Sequence, residues 1–231
     1  MYQMIFFENK YTPLTDSVYF LKADIKTVTD EFMKWQKPLE INKYRKLNIV
    51  SLKKDLESNL LELLPINVTE IRRFLFHGTT SDWTAMISNT ILGTDGSAPN
   101  VLSDRLKCEM VRATNTDDAT TFEFSNPNKE TEEEQLRVVS AHIESRWEFH
   151  DYGKPLPFED TKRYKTKRKI KDKIDSDLLI QYLNELGINY DKKDFYNPID
   201  KIKALMVIKT GRQYDNDKNL SLEQAQNYHI R

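Results

Sequence analysis

Four short strand-like runs follow one another between Glu109 and Phe149, and they constrain the fold more than any other part of the chain. Glu109 to Ala113, Thr120 to Phe124, Leu136 to Ile143 and Arg146 to Phe149 alternate or run apolar, with Glu144-Ser145 at a turn. A sizeable antiparallel sheet is the natural product of four such successive strands.

The flanking segments alternate strand and helix patterns. Tyr2 to Phe7 and Val18 to Leu21 read as a hairpin, and Asp24 is placed to cap a helix bearing Val28, Phe32 and Trp35 on one face until Pro38 stops it. Together these give a β-β-α opening. Ser51 is expected to cap a second helix with Leu52, Leu56, Leu60, Leu63 and Leu64 as its stripe, ending at Pro65. Ile71 to Phe76 and Trp83 to Ser88 read as strands, Gly93-Thr94-Asp95-Gly96 as a turn, and Ser97 with Pro99 as the start of a helix buried through Val101, Leu102 and Leu106. After Pro155 and Pro157 the pattern becomes helical. A basic helix over Thr161 to Lys173 precedes one capped by Asp175 or Ser176, striped by Leu178, Leu179, Tyr182, Leu183 and Leu186 and closed by Gly187. Ala204 to Ile208 is a short strand, and Ser221 to Tyr228 a terminal helix. The expected fold is one α+β domain over residues 1–231, an antiparallel sheet with packed helices and a helical C-terminal portion. If it subdivides, the boundary falls between a sheet-rich 1–155 and a helical 156–231.

Composition removes several classes of function. The six glycines are scattered, and neither GxGxxG nor GxxxxGK[ST] occurs, which argues against phosphate-cradling loops. Cys108 is the single cysteine, so an intramolecular disulfide and a thiolate metal cluster are both excluded. Lys plus Arg number 35 against 36 Asp plus Glu, leaving no overall field to draw in nucleic acid or a membrane surface. No run has the length and apolarity of a signal peptide or membrane span. A cytoplasmic protein with no membrane association is the expectation.

Several local features carry possible chemistry. His142 and Glu144 share a strand face and His150 follows on the next strand, but HExxH is absent, so these read as surface residues of a half-exposed sheet and no metal is expected. No serine lies in a GxSxG elbow. The stretch Lys162 to Lys173 is strongly basic with Tyr164 as its one aromatic, which suits a solvated helix or an acidic protein partner better than nucleic acid. The acidic run Glu130 to Glu134 is open to three readings: neutralising a basic partner, pairing with the chain's own basic helix, or solvating a loop. Trp83, Asp95 and Arg112, placed about the Gly93 to Gly96 turn, are the expected binding residues. An exposed tryptophan there would anchor a protein interface.

The segment Phe74-Leu-Phe-His77-Gly78-Thr79, with Trp83 and Ile87 beyond it, resembles the opening motif of poly-ADP-ribosyltransferase-like domains. That resemblance implies NAD as cofactor, with His77 and Thr79 in the nicotinamide pocket. The family's stacking tyrosine has no counterpart, because no tyrosine lies between Tyr44 and Tyr152. Over nearly the whole length, MYQMIFFE, YFLKADI, WQKPLE, SDWT with GTD, PLPFED with RYK, and YLNELGI with DFY are similar to a family of small bacterial proteins of the immunity-protein kind. This second resemblance implies a cytoplasmic, non-catalytic protein-binding module without a cofactor, its partner another protein such as a toxin domain. The NAD-dependent transferase is the alternative.

Overall fold

The computed structural model describes residues 10–42, 45–91, 93–94, 96–198, 202–211, 215 and 217–228. In chain order the elements are β1 (Ser17–Leu21), α1 (Ile25–Ile41), β2 (Arg45–Leu52), α2 (Leu56–Leu61), β3 (Ile66–Asn67), β4 (Arg73–Gly78) and β5 (Thr84–Ser88). They continue with α3 (Ser97–Leu106), β6 (Met110–Asn115), β7 (Ala119–Ser125), α4 (Glu132–Gln135), β8 (Leu136–Ile143) and β9 (Trp147–Tyr152). The last are α5 (Thr161–Thr166), α6 (Ser176–Glu185), β10 (Ala204–Gly211), β11 (Asn219–Leu220) and α7 (Leu222–Gln226). The fold is α+β, as the strand and helix patterns predict.

Among the described residues, nine strands form one antiparallel sheet in the order β2-β10-β4-β5-β1-β6-β7-β8-β9, while β11 and β3 pair separately. The strands β6 to β9 pair in chain order as part of the expected antiparallel sheet, with α4 in the connection from β7 to β8. Central strands are buried on both faces, which is why β1 and β5 are enclosed at every position rather than at alternate ones. On one face Tyr19, Leu21, Phe74, Phe76, Met86, Met110 and Val207 pack under Val28 and Phe32 of α1 and Leu102 of α3. On the other, Val18, Phe20, Leu75, Ile87, Val111, Phe122 and Val139 meet Leu60 of α2 and the Leu178, Leu179, Tyr182, Leu183 stripe of α6. Toward β9 the pattern relaxes to alternation. Phe122, Val139 and Ala141 still face that second core, whereas Glu123 and His142 face the other way with partial exposure.

Several sequence expectations require correction. The Tyr2 to Phe7 strand, and with it the expected hairpin, lies outside the described residues; β1 pairs with β5 and β6. Asp24 does cap α1, accepting from the Thr27 amide at 2.9 Å, but the helix runs through Pro38 to Ile41. Proline's missing amide forfeits one hydrogen bond, and a helix already three turns long tolerates that loss near its end. Ser51 belongs to β2 and caps nothing; Asp55 caps the short α2 by accepting from Ser58. The basic helix spans only Thr161–Thr166, followed by one tight 3-10 turn at Ile170–Asp172. Asp175, not Ser176, caps α6. Ser221 and Gln224 form a reciprocal capping box on α7. Finally, β10 comes from the C-terminal portion yet lies inside the sheet between β2 and β4.

A buried polar cluster fixes the 153–159 loop to the sheet. Arg137, 1% exposed, donates from Nε to Glu159 Oε1 at 2.8 Å and from Nη2 to Oε2 at 2.6 Å. Its Nη1 reaches Asp151 at 2.6 Å and the carbonyls of Tyr152 and Gly153. Glu159, fully enclosed, also accepts from the Leu156 amide and the Tyr164 hydroxyl. Every described oxygen and nitrogen of that ion pair therefore has a partner, the condition under which a buried pair is tolerated.

Candidate functional site

A cleft of about 740 Å³ opens on the α1/α3 face, lined by Tyr19, Trp35, Phe74, Arg112, Glu123 and Lys209 among others. Trp35 comes from α1, and the other five side chains arrive there by strand alternation. Tyr19 stands opposite Arg112 on β6, which stands opposite Glu123 on β7. The same row continues through Val138 on β8 to Tyr152 on β9. One cross-strand line therefore runs from the cleft floor to the edge of the sheet, where Tyr152 is 46% exposed.

The Gly93 to Gly96 segment forms the rim. Thr94 fixes it by donating its amide to the Ser17 carbonyl at 3.2 Å and accepting the Ser88 amide on Oγ1 at 3.0 Å. A Cβ on Gly96 would stand 2.7 Å from the Tyr19 hydroxyl, so any larger residue would displace that ring from the cleft. Asp95, one of the expected binding residues, lies outside the described residues.

Two cations define the electrostatics. Arg112 donates from Nε to Ser17 Oγ at 3.2 Å and Thr114 Oγ1 at 3.1 Å, lies over the Tyr19 ring, and approaches Glu123 at 3.7 Å. Burial raises the Glu123 carboxyl above its ordinary range despite that arginine. Lys209 Nζ sits 4.7 Å from the centroid of Phe74 and 6.0 Å from that of Phe32, with no hydrogen-bond acceptor among the described residues. Burial, opposed by the Glu70 carboxylate and aided by the Arg45 charge, brings its ammonium down to about 8. Glu70 is itself engaged, accepting Arg45 Nε at 2.8 Å and pairing with Arg72 at 3.3 Å. The cleft thus offers an under-satisfied cation between aromatic rings, a setting that favours an incoming anion.

The other expected residues lie elsewhere. Trp83 is 2% exposed and donates its indole N–H to the Leu186 carbonyl at 2.9 Å, so it is a core residue and lacks the exposure an interface anchor requires. A second cavity of about 720 Å³ beside it is lined by Gly78, Thr79 and Trp83, but His77 does not line it. The His77 ring is fully buried against Tyr196, with Nδ1 donating to the Gly78 carbonyl at 2.8 Å and Nε2 accepting from Asn59 Nδ2 at 3.3 Å. Burial holds it neutral. Thr79 spends its hydroxyl on the Trp83 carbonyl at 2.6 Å. Both groups of the nicotinamide pocket expected from the resemblance are therefore committed to the protein's own backbone and core.

Some members of the charge runs are engaged locally. Glu134 pairs with Lys154 at 2.9 Å, Arg163 pairs with Asp175, and Lys173 lies over the Phe149 ring. Cys108 is buried, its thiol pushed up to about 11 by desolvation, which makes it a poor nucleophile. No helix among the described residues is long and apolar enough to cross a membrane.

Lys209 and Glu123 were missed by sequence reasoning. Lys209 follows directly on the apolar Ala204 to Ile208 run and has the look of its polar terminus; the signal that could have found it is alternation, since Lys209 shares a face with Val207.

The molecule is thus an α+β protein whose described residues include a nine-stranded antiparallel sheet, with a cleft over one face lined by Lys209, Arg112, Glu70, Glu123 and the rings of Tyr19, Trp35 and Phe74. Comparison of the chain with protein-family models, curated proteins and solved structures gives no match.

Proposed function

We propose that the protein is a non-catalytic module that binds another protein, using the cleft and the sheet face that extends from it, with an acidic side chain of the partner entering beside Lys209. The observation that carries this reading is the single row Tyr19-Arg112-Glu123-Val138-Tyr152, which joins a concave, charged floor to an exposed aromatic edge. Such a surface is longer than a small ligand needs, and tyrosine and arginine are the residue types that dominate interface energetics. A carboxylate placed at Lys209 replaces a missing hydrogen-bond acceptor, so binding gains more there than at a solvated lysine. Blocking a toxin domain in the cytoplasm is the form of this activity that the whole-chain resemblance implies.

Co-expression with the product of each adjacent gene, read by size-exclusion chromatography and by rescue of growth, tests the reading. A one-to-one complex is expected, weakened about thirtyfold or more by Arg112→Glu or Tyr152→Ala, the effect typical of a hot spot. Absence of both complex and rescue, or a complex indifferent to these substitutions, would refute it.

A further inference from the structure

The hairpin of β8 and β9 carries a group on the same sheet face as the proposed binding row, outside the five residues of that row. His142 stands directly across from Glu148, and His150 lies two residues further along β9, opposite Ser140. All three project from the same sheet face, and one potential ligand atom from each lies within 4.8 Å of the others. The two imidazoles stack, with centroids 5.0 Å apart and planes at 15°. Ser140 Oγ contacts His142 Nδ1 at 3.5 Å, which leaves His142 Nε2 as its outward nitrogen. His150 Nε2 lies 3.8 Å from Glu148.

From this arrangement we infer a binding site for a divalent transition-metal ion of the zinc class, held by His142, Glu148 and His150. Two imidazoles and a carboxylate are the donor set such ions take in three-ligand sites with an open fourth position. Ligand atoms around a four-coordinate ion with bonds near 2.1 Å stand about 3.4 Å apart. The three side chains must therefore close by roughly 1.4 Å at most, a movement available to groups that are all partly exposed. The backbone need not move, because the six paired positions of β8 and β9 already fix the spacing. Since β9 is the last strand of the sheet among the described residues, solvent or a side chain from another molecule can reach the remaining coordination position. Glu144, which approaches His142 Nε2 at 3.9 Å but is largely exposed, is not needed for the set.

Titration of Zn²⁺, and separately Co²⁺, into the untagged full chain decides the matter by calorimetry and by the visible absorption of four-coordinate Co²⁺. One ion per chain is expected, with affinity reduced at least tenfold by His142→Ala, His150→Ala or Glu148→Gln and unchanged by Glu144→Gln. Circular dichroism of each variant verifies that the sheet is intact. No saturable binding, binding equal in the His142→Ala/His150→Ala double variant, or equal weakening by Glu144→Gln and Glu148→Gln would overturn the site. None of these outcomes depends on whether a protein partner is found.

Discussion

Replacing Glu159 with glutamine tests how far the buried Arg137 cluster holds the sheet-to-loop connection together. The substitution keeps the shape but puts an amide NH₂ where one oxygen now accepts from a charged or hydroxyl donor. Two short bonds from Arg137 to Glu159, at 2.8 and 2.6 Å, lose their charge assistance, and either the guanidinium and Tyr164 or the Leu156 amide faces a donor. Asp151 remains as counter-charge but is itself substantially exposed. Breaking a buried pair from one side costs about 3–5 kcal/mol, because the surviving charge stays desolvated. For a chain of this size each kcal/mol shifts the melting temperature by about 2–4 °C, so a fall of roughly 6–20 °C is expected. Thermal and urea unfolding of the wild type, Glu159→Gln, and the double variant Arg137→Met/Glu159→Leu provide the assay. The double variant should lie nearer the wild type than the single one, since it leaves no buried charge without a counter-charge and costs only the neutral Leu156 amide and the Tyr152 and Gly153 carbonyls a partner. A Glu159→Gln protein within about 0.5 kcal/mol of wild type would refute the reasoning.

Three further outcomes follow from named residues. Lys209→Met should stabilise the protein at pH 7 by up to about 3 kcal/mol: the folded lysine releases its proton near 8 and the unfolded one near 10.5, so wild-type stability rises across that window and the gap should close by its upper end in urea titrations at stepped pH. A gap that does not change with pH would contradict this. Pro38→Ala restores a backbone donor inside α1 and should raise stability by about 1–3 kcal/mol, measured by denaturant midpoint. Gly153→Ala should destabilise strongly, because Gly153 has φ +83° and an added Cβ would lie 2.0 Å from the Leu136 carbonyl oxygen; an unchanged melting curve would show that the loop relaxes freely.

How much was legible in the chain depended on whether a segment's neighbours agreed with its own pattern. The strands β6 to β9 were readable because each alternates or runs apolar. Arg45 to Leu52 was not read as a strand, since its mixture of charged and apolar residues shows no clear alternation on this outer strand, where Ile49 and Val50 are exposed. Ser51 ahead of leucines at helical spacing then mimicked a cap, and only the pairing of Leu205 with Ser51 resolves the conflict in favour of sheet. Arg112 was chosen for its placement beside the Gly93 to Gly96 turn, and it lines the cleft. Lys209 shares that cleft through strand pairings that join residues far apart in the chain, and local patterns carry no trace of them. Glu148 was missed for a finer reason. Sequence located the turn at Glu144-Ser145, but the register placing His142 opposite Glu148 is settled by hydrogen bonding across the hairpin.

The position of β10 bears on how the chain comes off the ribosome. Residues 204–211 occupy the slot between β2 and β4, so about nine-tenths of the polypeptide must be synthesised before those two early strands acquire their shared neighbour. Until then each carries an open backbone edge, and two nascent copies on one messenger could zip together there. A ribosome stalled shortly before codon 204 should therefore present a chain that engages holdase chaperones, and one stalled well after codon 211, with those residues clear of the exit tunnel, a chain that does not.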